Sequence, residues 1–122
     1  MPPKPARILV LDDHRDSLEL CRMVLRDLGH EATPAQSVAE ALLLCERMSF
    51  DLLISDIKLR DGSGLDVMRE LRERCGVRGI ALSGMVSAED VPRSIEAGFI
   101  AHLKKPVELE KLEQAIAGAL EL

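Results

Sequence analysis

Two adjacent carboxylates, a third far along the chain, a hydroxyl and an ammonium each follow a short apolar run. Asp12 and Asp13 follow Arg7 to Leu11, Asp56 follows Leu52 to Ser55, Ser83 ends Ile80 to Ser83, and Lys104 and Lys105 follow Ile100 to Leu103. Brought together, three carboxylates repel, and each raises the pKa of the others unless a cation neutralises them. Oxygen donors without His or Cys suit magnesium, which keeps several waters and binds one or two carboxylates plus a phosphate. A lysine adds a mobile point charge for a phosphoryl oxygen. The Ser83 hydroxyl can donate to another such oxygen, and Gly84 puts no side chain in the approach. Phosphoryl transfer needs mainly positioning and neutralisation of the equatorial oxygens. Asp56 would then be the nucleophile, giving an aspartyl phosphate.

These residues can act together only if the fold gathers them. Five apolar runs, expected as strands over 7–11, 30–34, 52–55, 80–83 and 100–103, alternate with five helical patterns over 16–28, 37–48, 65–74, 87–97 and 109–120. Leu18, Cys21, Val24, Leu25 and Leu28 recur at helical spacing, and Gly29 stops that helix. Ser37-Val38-Ala39-Glu40 is a capping box, and Ser87-Ala88-Glu89-Asp90 reads as a similar start. Pro34 cannot donate to a ladder, so the second strand belongs at a sheet edge. Strict βα alternation with apolar strands implies an α/β fold, a parallel sheet covered on both faces. A doubly wound five-stranded sheet in the order 2-1-3-4-5 is favoured, with strand two at an edge. The switch point then lies between strands one and three, and ligands bind there beyond the strands' carboxyl ends. Asp12, Asp13, Asp56, Ser83 and Lys105 all fall on that edge.

The 122 residues suit one domain, and 47% hydrophobic content supports one sizeable core. Met1-Pro2-Pro3-Lys4-Pro5 reads as a disordered lead-in over 1–6, with the domain over 7–122. A net charge of −5 argues against direct nucleic-acid binding, which needs a basic face. No apolar run approaches the roughly 20 residues of a membrane span, and no secretory h-region opens the chain. Cys21, Cys45 and Cys75 are odd in number and lack a CxxC pair, which argues against disulfides or a zinc site. A reduced cytoplasm is the expected setting.

The motifs in this order resemble the response-regulator receiver domain of two-component signalling, over nearly the whole chain. They are Asp12-Asp13, Asp51 to Asp56, Asp61-Gly62-Ser63-Gly64 before a helix, Ala81-Leu82-Ser83-Gly84, Glu96-Ala97-Gly98 and Lys105-Pro106. The resemblance implies a flavodoxin-like (βα)5 fold. It implies that Asp13, Asp56 and the backbone carbonyl of Lys58 bind magnesium directly, with Asp12 acting through water. Lys105, not Lys104, would contact the phosphoryl group, and a cis bond before Pro106 would aim it into the pocket. The donor would be a phosphohistidine on a sensor histidine kinase or a histidine phosphotransfer protein. A face formed by helix four, strand five and helix five would then control a downstream protein target, with room for a phosphorylation-dependent dimer. The segments Gly79 to Gly84 and Ala101 to Val107 are also similar to receivers fused to hybrid sensor histidine kinases.

Some positions depart from that family. His102, four residues before Pro106, stands where Tyr or Phe is usual, a side chain that turns inward when the Ser83 hydroxyl moves to the phosphate. It reads equally as that switch, smaller and titratable, or as a partly exposed strand residue. Arg60 stands where Pro is frequent, and Lys58 lies two past the acceptor, where side chains tune the phosphoryl lifetime. His14 and Arg15 read as solvated loop residues, with His14 no metal ligand, and Asp16 favours the helix dipole. Lys104 reads as solvated, and Met23, Met48 and Met68 as core filler. Two other function classes compete. A haloacid-dehalogenase-type phosphohydrolase carries DxDx[TV] after strand one, but Asp12-Asp13-His14-Arg15-Asp16 lacks the second Asp at that spacing. A scaffold pseudo-receiver has no need of the acidic set together with Lys105. No GxGxxG or Walker A sequence follows strand one for a nucleotide.

Overall fold

Alternate side chains of each strand point to opposite sheet faces, and here both sets are apolar, so both faces must be covered. The computed structural model describes residues 5–84 and 88–121. In chain order the elements are β1 (Arg7–Leu11), α1 (Arg15–Asp27), β2 (Glu31–Ala35), α2 (Val38–Arg47), β3 (Leu52–Asp56), β4 (Lys58–Leu59), β5 (Gly62–Ser63), α3 (Gly64–Cys75), β6 (Arg78–Ser83), α4 (Asp90–Ala97), β7 (Phe99–Lys104) and α5 (Leu109–Glu121). The main sheet has the order β2-β1-β3-β6-β7, all parallel. Counted over the five long strands this is 2-1-3-4-5, the order expected from the sequence. Pro34 lies in β2 opposite Val10, on the edge strand where its missing donor costs no ladder bond.

Ile8, Val10, Leu52, Ile54, Ile80 and Leu82 pack with Leu18, Cys21, Val24 and Leu25 of α1 and with Leu112 and Ile116 of α5. On the other face Leu9, Leu11, Leu53 and Ala81 pack with side chains of α2, α3 and α4, including Ala41, Met68 and Ala97. Each fully buried Leu or Ile contributes roughly 1.5–3 kcal/mol from removal of apolar surface from water. The strands are therefore held from both sides, and their carboxyl ends form a rigid rim.

The caps fix the loops around that rim. Ser37 accepts a hydrogen bond from the Glu40 N–H at 3.1 Å, as the capping box requires. A second cap comes from far along the chain: the Asp61 carboxylate accepts from the Val38 and Ala39 N–H groups at 2.9 and 3.1 Å. Those bonds hold the Asp61 pKa below its ordinary value.

Several boundaries and placements differ from expectation. The second strand starts at Glu31 because the His30 N–H is engaged with the Leu25 carbonyl at the end of α1 and its ring accepts from the Ala6 N–H at 3.0 Å. Ala6, assigned by composition to the lead-in, is thereby packed and 6% exposed; residues 1–4 lie outside the described residues. The loop after Asp56 contains the antiparallel pair β4–β5. The start of the fourth helix at Ser87 also falls outside the described residues, and α4 is seen from Asp90. Met68 is core, but Met23 and Met48 are 52% and 36% exposed. Met23 points away from the buried stripe of α1, and Met48 follows the last turn of α2. Cys21 and Cys45 are buried thiols, each pushed up to about 11 by burial. No helix among the described residues is long and apolar enough to cross a membrane.

Candidate functional site

Asp12 directly follows β1, Asp56 ends β3 and Ser83 ends β6, so two carboxylates and a hydroxyl reach the rim because their strands are parallel and in register. All three are buried, Asp12 completely. Neither Asp12 nor Asp13 caps α1: the residue before that helix is His14, and no side chain caps it. The two carboxylates are thus available to the pocket.

Lys105 closes the constellation. Its Nζ donates to Asp12 Oδ2 at 2.7 Å and to Asp56 Oδ2 at 3.0 Å. The Lys105 backbone N–H donates to the Ser83 carbonyl at 2.7 Å, and the Lys105–Pro106 peptide is cis. Burial works against the ammonium charge, yet hydrogen bonds to Asp12 and Asp56 outweigh it and raise the Lys105 pKa. Lys104, by contrast, is exposed. A cleft of about 700 Å³ opens over these groups, lined in part by Asp13, His14, Asp56, Arg60, Gly84 and Lys105.

The loop after β3 is tied to the same place. The Arg60 N–H donates to Asp13 Oδ2 at 3.0 Å, and Gly64 N–H to the Ile57 carbonyl at 2.8 Å. Lys58 sits in β4, exposed, two residues beyond the acceptor candidate.

The fold fixes the surroundings of two histidines. His14 is exposed at the mouth of the cleft, but its Nδ1 lies 3.1 Å from Asp12 Oδ1 and 3.2 Å from Asp13 Oδ1. The residue type gave no direction for that ring; only its place beside Asp13 hinted at it. His102 pairs with Ala81 in the ladder and points to the α4 side of the sheet. Both its ring nitrogens are buried and make no hydrogen bond among the described residues. Burial lowers its pKa, and Asp90 opposes that shift.

The donor set fits a hard divalent cation. Carboxylate oxygens of Asp12, Asp13 and Asp56, with the His14 nitrogen, lie within 4.8 Å of one another. Three carboxylates against one ammonium leave two negative charges, matching such an ion.

Comparison with known proteins agrees with this geometry. A family model described as the response regulator receiver domain matches residues 8–117. The chain is 33% identical over 117 residues to the response regulator protein PilR of Pseudomonas aeruginosa, covering 95% of this chain and 26% of that protein. It is 34% identical over 122 residues to the transcriptional regulatory protein GlrR of Escherichia coli, covering 99% and 28%. The chain thus spans about a quarter of the length of these relatives. Among solved structures, a CheY-like response regulator receiver domain protein from Methanospirillum hungatei superposes with a TM-score of 0.90 at 31% identity, covering 97% of this chain and 95% of that one. A response regulator receiver domain protein from Clostridium thermocellum gives 0.84 at 31%, covering 95% and 94%.

Proposed function

Because the chain belongs to the response regulator receiver domain family of two-component signalling, we propose that Asp56 is its phosphoryl acceptor. The observation that carries this reading is the Lys105 ammonium bridging Asp12 and Asp56 at the strand ends, beside Asp13. An Asp56 oxygen attacks phosphorus, the phosphorus–nitrogen bond of a phosphohistidine breaks, and the imidazole leaves. Asp13, Asp56 and the Lys58 carbonyl would hold magnesium, with Asp12 acting through water. When bound, that ion neutralises the transferring oxygens. Lys105 takes one phosphoryl oxygen and the Ser83 hydroxyl another.

The donor is a sensor histidine kinase or a histidine phosphotransfer protein, and the setting is the cytoplasm. Drawing Ser83 towards the phosphate biases a two-state rearrangement of α4, β7 and α5. That face controls a downstream protein or a second copy of the chain. Incubation with magnesium and acetyl phosphate, followed by intact-mass measurement, tests the acceptor. One labile phosphoryl adduct, absent in Asp56→Asn, is expected. A protein that stays unmodified with any donor is a scaffold, and rapid turnover of many phosphate esters marks a phosphohydrolase.

His102 is the inward element of this switch in our reading, supported by ring nitrogens that are buried on the α4 side and make no hydrogen bond among the described residues. Replacing it with Phe removes the buried polar atoms and is expected to stabilise the protein by about 1 kcal/mol at neutral pH. The gap should widen as pH falls. Burial depresses the folded pKa below 6.5 while Asp90 opposes it, so the unfolded chain binds more protons once pH drops past that value. Wild type then loses stability that His102→Phe keeps. Urea unfolding followed by circular dichroism from pH 7.5 to 5 checks this, and parallel pH curves would refute it.

A further inference from the structure

His14 stands over the acceptor pocket in a way the transfer reaction above does not use. Its backbone is extended (φ −95°, ψ 112°), and its N–H donates to Asp12 Oδ1 at 2.9 Å, a turn that brings the imidazole back over the carboxylates. The ring nitrogen Nδ1 is 3.1 Å from Asp12 Oδ1, 3.2 Å from Asp13 Oδ1 and 4.0 Å from Asp56 Oδ2. An octahedral ion with bonds of about 2.1 Å sets neighbouring donors about 3 Å apart and opposite donors about 4.2 Å apart. For the two carboxylates read as direct ligands, the separations from His14 match one neighbour, Asp13, and one donor close to opposite, Asp56.

We propose that this pocket is a mixed nitrogen–oxygen site for late first-row divalent cations such as cobalt, nickel and zinc, with His14 Nδ1 as its nitrogen ligand. The proposal rests on the acceptor pocket being a cation site. Magnesium takes oxygen donors and gains little from an imidazole. Imidazole suits the later ions, whose affinity for a given site rises towards nickel and copper. His14 is therefore a bystander when magnesium is bound. With nickel or zinc bound it is held across the mouth of the cleft that leads to Asp56. The side chain is 66% exposed, so ligation demands little desolvation of the ring. The identity of the ion then sets access to the acceptor.

The test is calorimetric titration of the whole chain with nickel and, separately, with magnesium, on wild type, His14→Ala and Asp13→Asn. Imidazole resonances are followed by NMR in the same titrations. Nickel is expected to bind wild type at least about tenfold more tightly than magnesium and to broaden the His14 ring signals before those of His30 and His102. His14→Ala should lose at least about tenfold in nickel affinity and less than about twofold in magnesium affinity. Asp13→Asn should lose affinity for both ions. The proposal is overturned if His14→Ala leaves nickel affinity intact or lowers both affinities equally. It is also overturned if nickel binds Asp13→Asn at full strength, or if the His14 signals stay sharp. In those cases the imidazole is a hydrogen-bond donor to Asp12 and nothing more. Phosphorylation is read separately. Magnesium binding and an Asp56 adduct, with nickel affinity indifferent to His14, sink this inference alone. A wild type that binds neither ion sinks the cation pocket as well.

Discussion

Asp56→Asn protein is expected to stay at its unmodified mass in magnesium and acetyl phosphate, yet to unfold at a higher temperature than wild type in EDTA. The first result follows because an amide oxygen is a poor nucleophile. The second follows from the charges. Wild type holds Asp12, Asp13 and Asp56 around one ammonium. Removing the charge of Asp56 ends one attraction, at 3.0 Å to Lys105, and two repulsions, while Lys105 keeps its 2.7 Å contact with Asp12. Relief of like-charge repulsion in a partly buried cluster is worth about 1 kcal/mol here. The same change weakens cation binding, so magnesium should stabilise the variant less than wild type. The chain has no Trp and no Tyr, so calorimetry or circular dichroism is the readout. An adduct on the variant, or equal stabilisation of both proteins by magnesium, would contradict the acceptor role.

Gly64→Ala should be the most damaging small substitution in the domain. Gly64 begins α3, is buried, and needs no positive φ; its requirement is space. A Cβ there would collide with the Asp56 backbone carbonyl and the Ser55 hydroxyl. Ser55 already donates to that carbonyl at 2.7 Å. No rotamer change relieves a clash with backbone, so either β3 or the start of α3 must shift. Such forced movement in a packed interior costs about 3 kcal/mol. The shift also moves the acceptor relative to Lys105, so phosphorylation should slow even in protein that remains folded. Gly118→Ala is the control. It sits within α5 with open space around it and should stabilise by up to about 1 kcal/mol through helix propensity. Urea unfolding of both variants measures the contrast. A Gly64→Ala loss below about 1 kcal/mol would show that the contact yields freely.

Layering and strand order were legible in the amino-acid sequence because they depend on local patterns. Apolar runs such as Leu52 to Ser55 mark strands buried on both faces, the Leu18–Cys21–Val24–Leu25 stripe marks a helix with one buried face, and Pro34 marks an edge. From that order alone Asp12, Asp13, Asp56, Ser83 and Lys105 fall on one rim, since residues after parallel strands share a sheet edge whatever their side chains do. Side-chain direction is another matter. Lys105 spans 93 residues to Asp12 and 49 to Asp56, and Asp61 caps a helix 23 residues behind it. The His14 ring turns back onto two carboxylates that its own type never indicated. Met23 and Met48 are apolar by type and exposed in fact. These outcomes depend on which distant groups supply a donor, a charge or a void, and such neighbours exist only once the chain has folded. The composition and spacing of this sequence therefore determined the sheet, its order and the members of the rim. Only the tertiary structure decided that Lys105 joins Asp12 to Asp56, that Gly64 leaves no room beside Asp56, and that the His14 ring lies against Asp12 and Asp13.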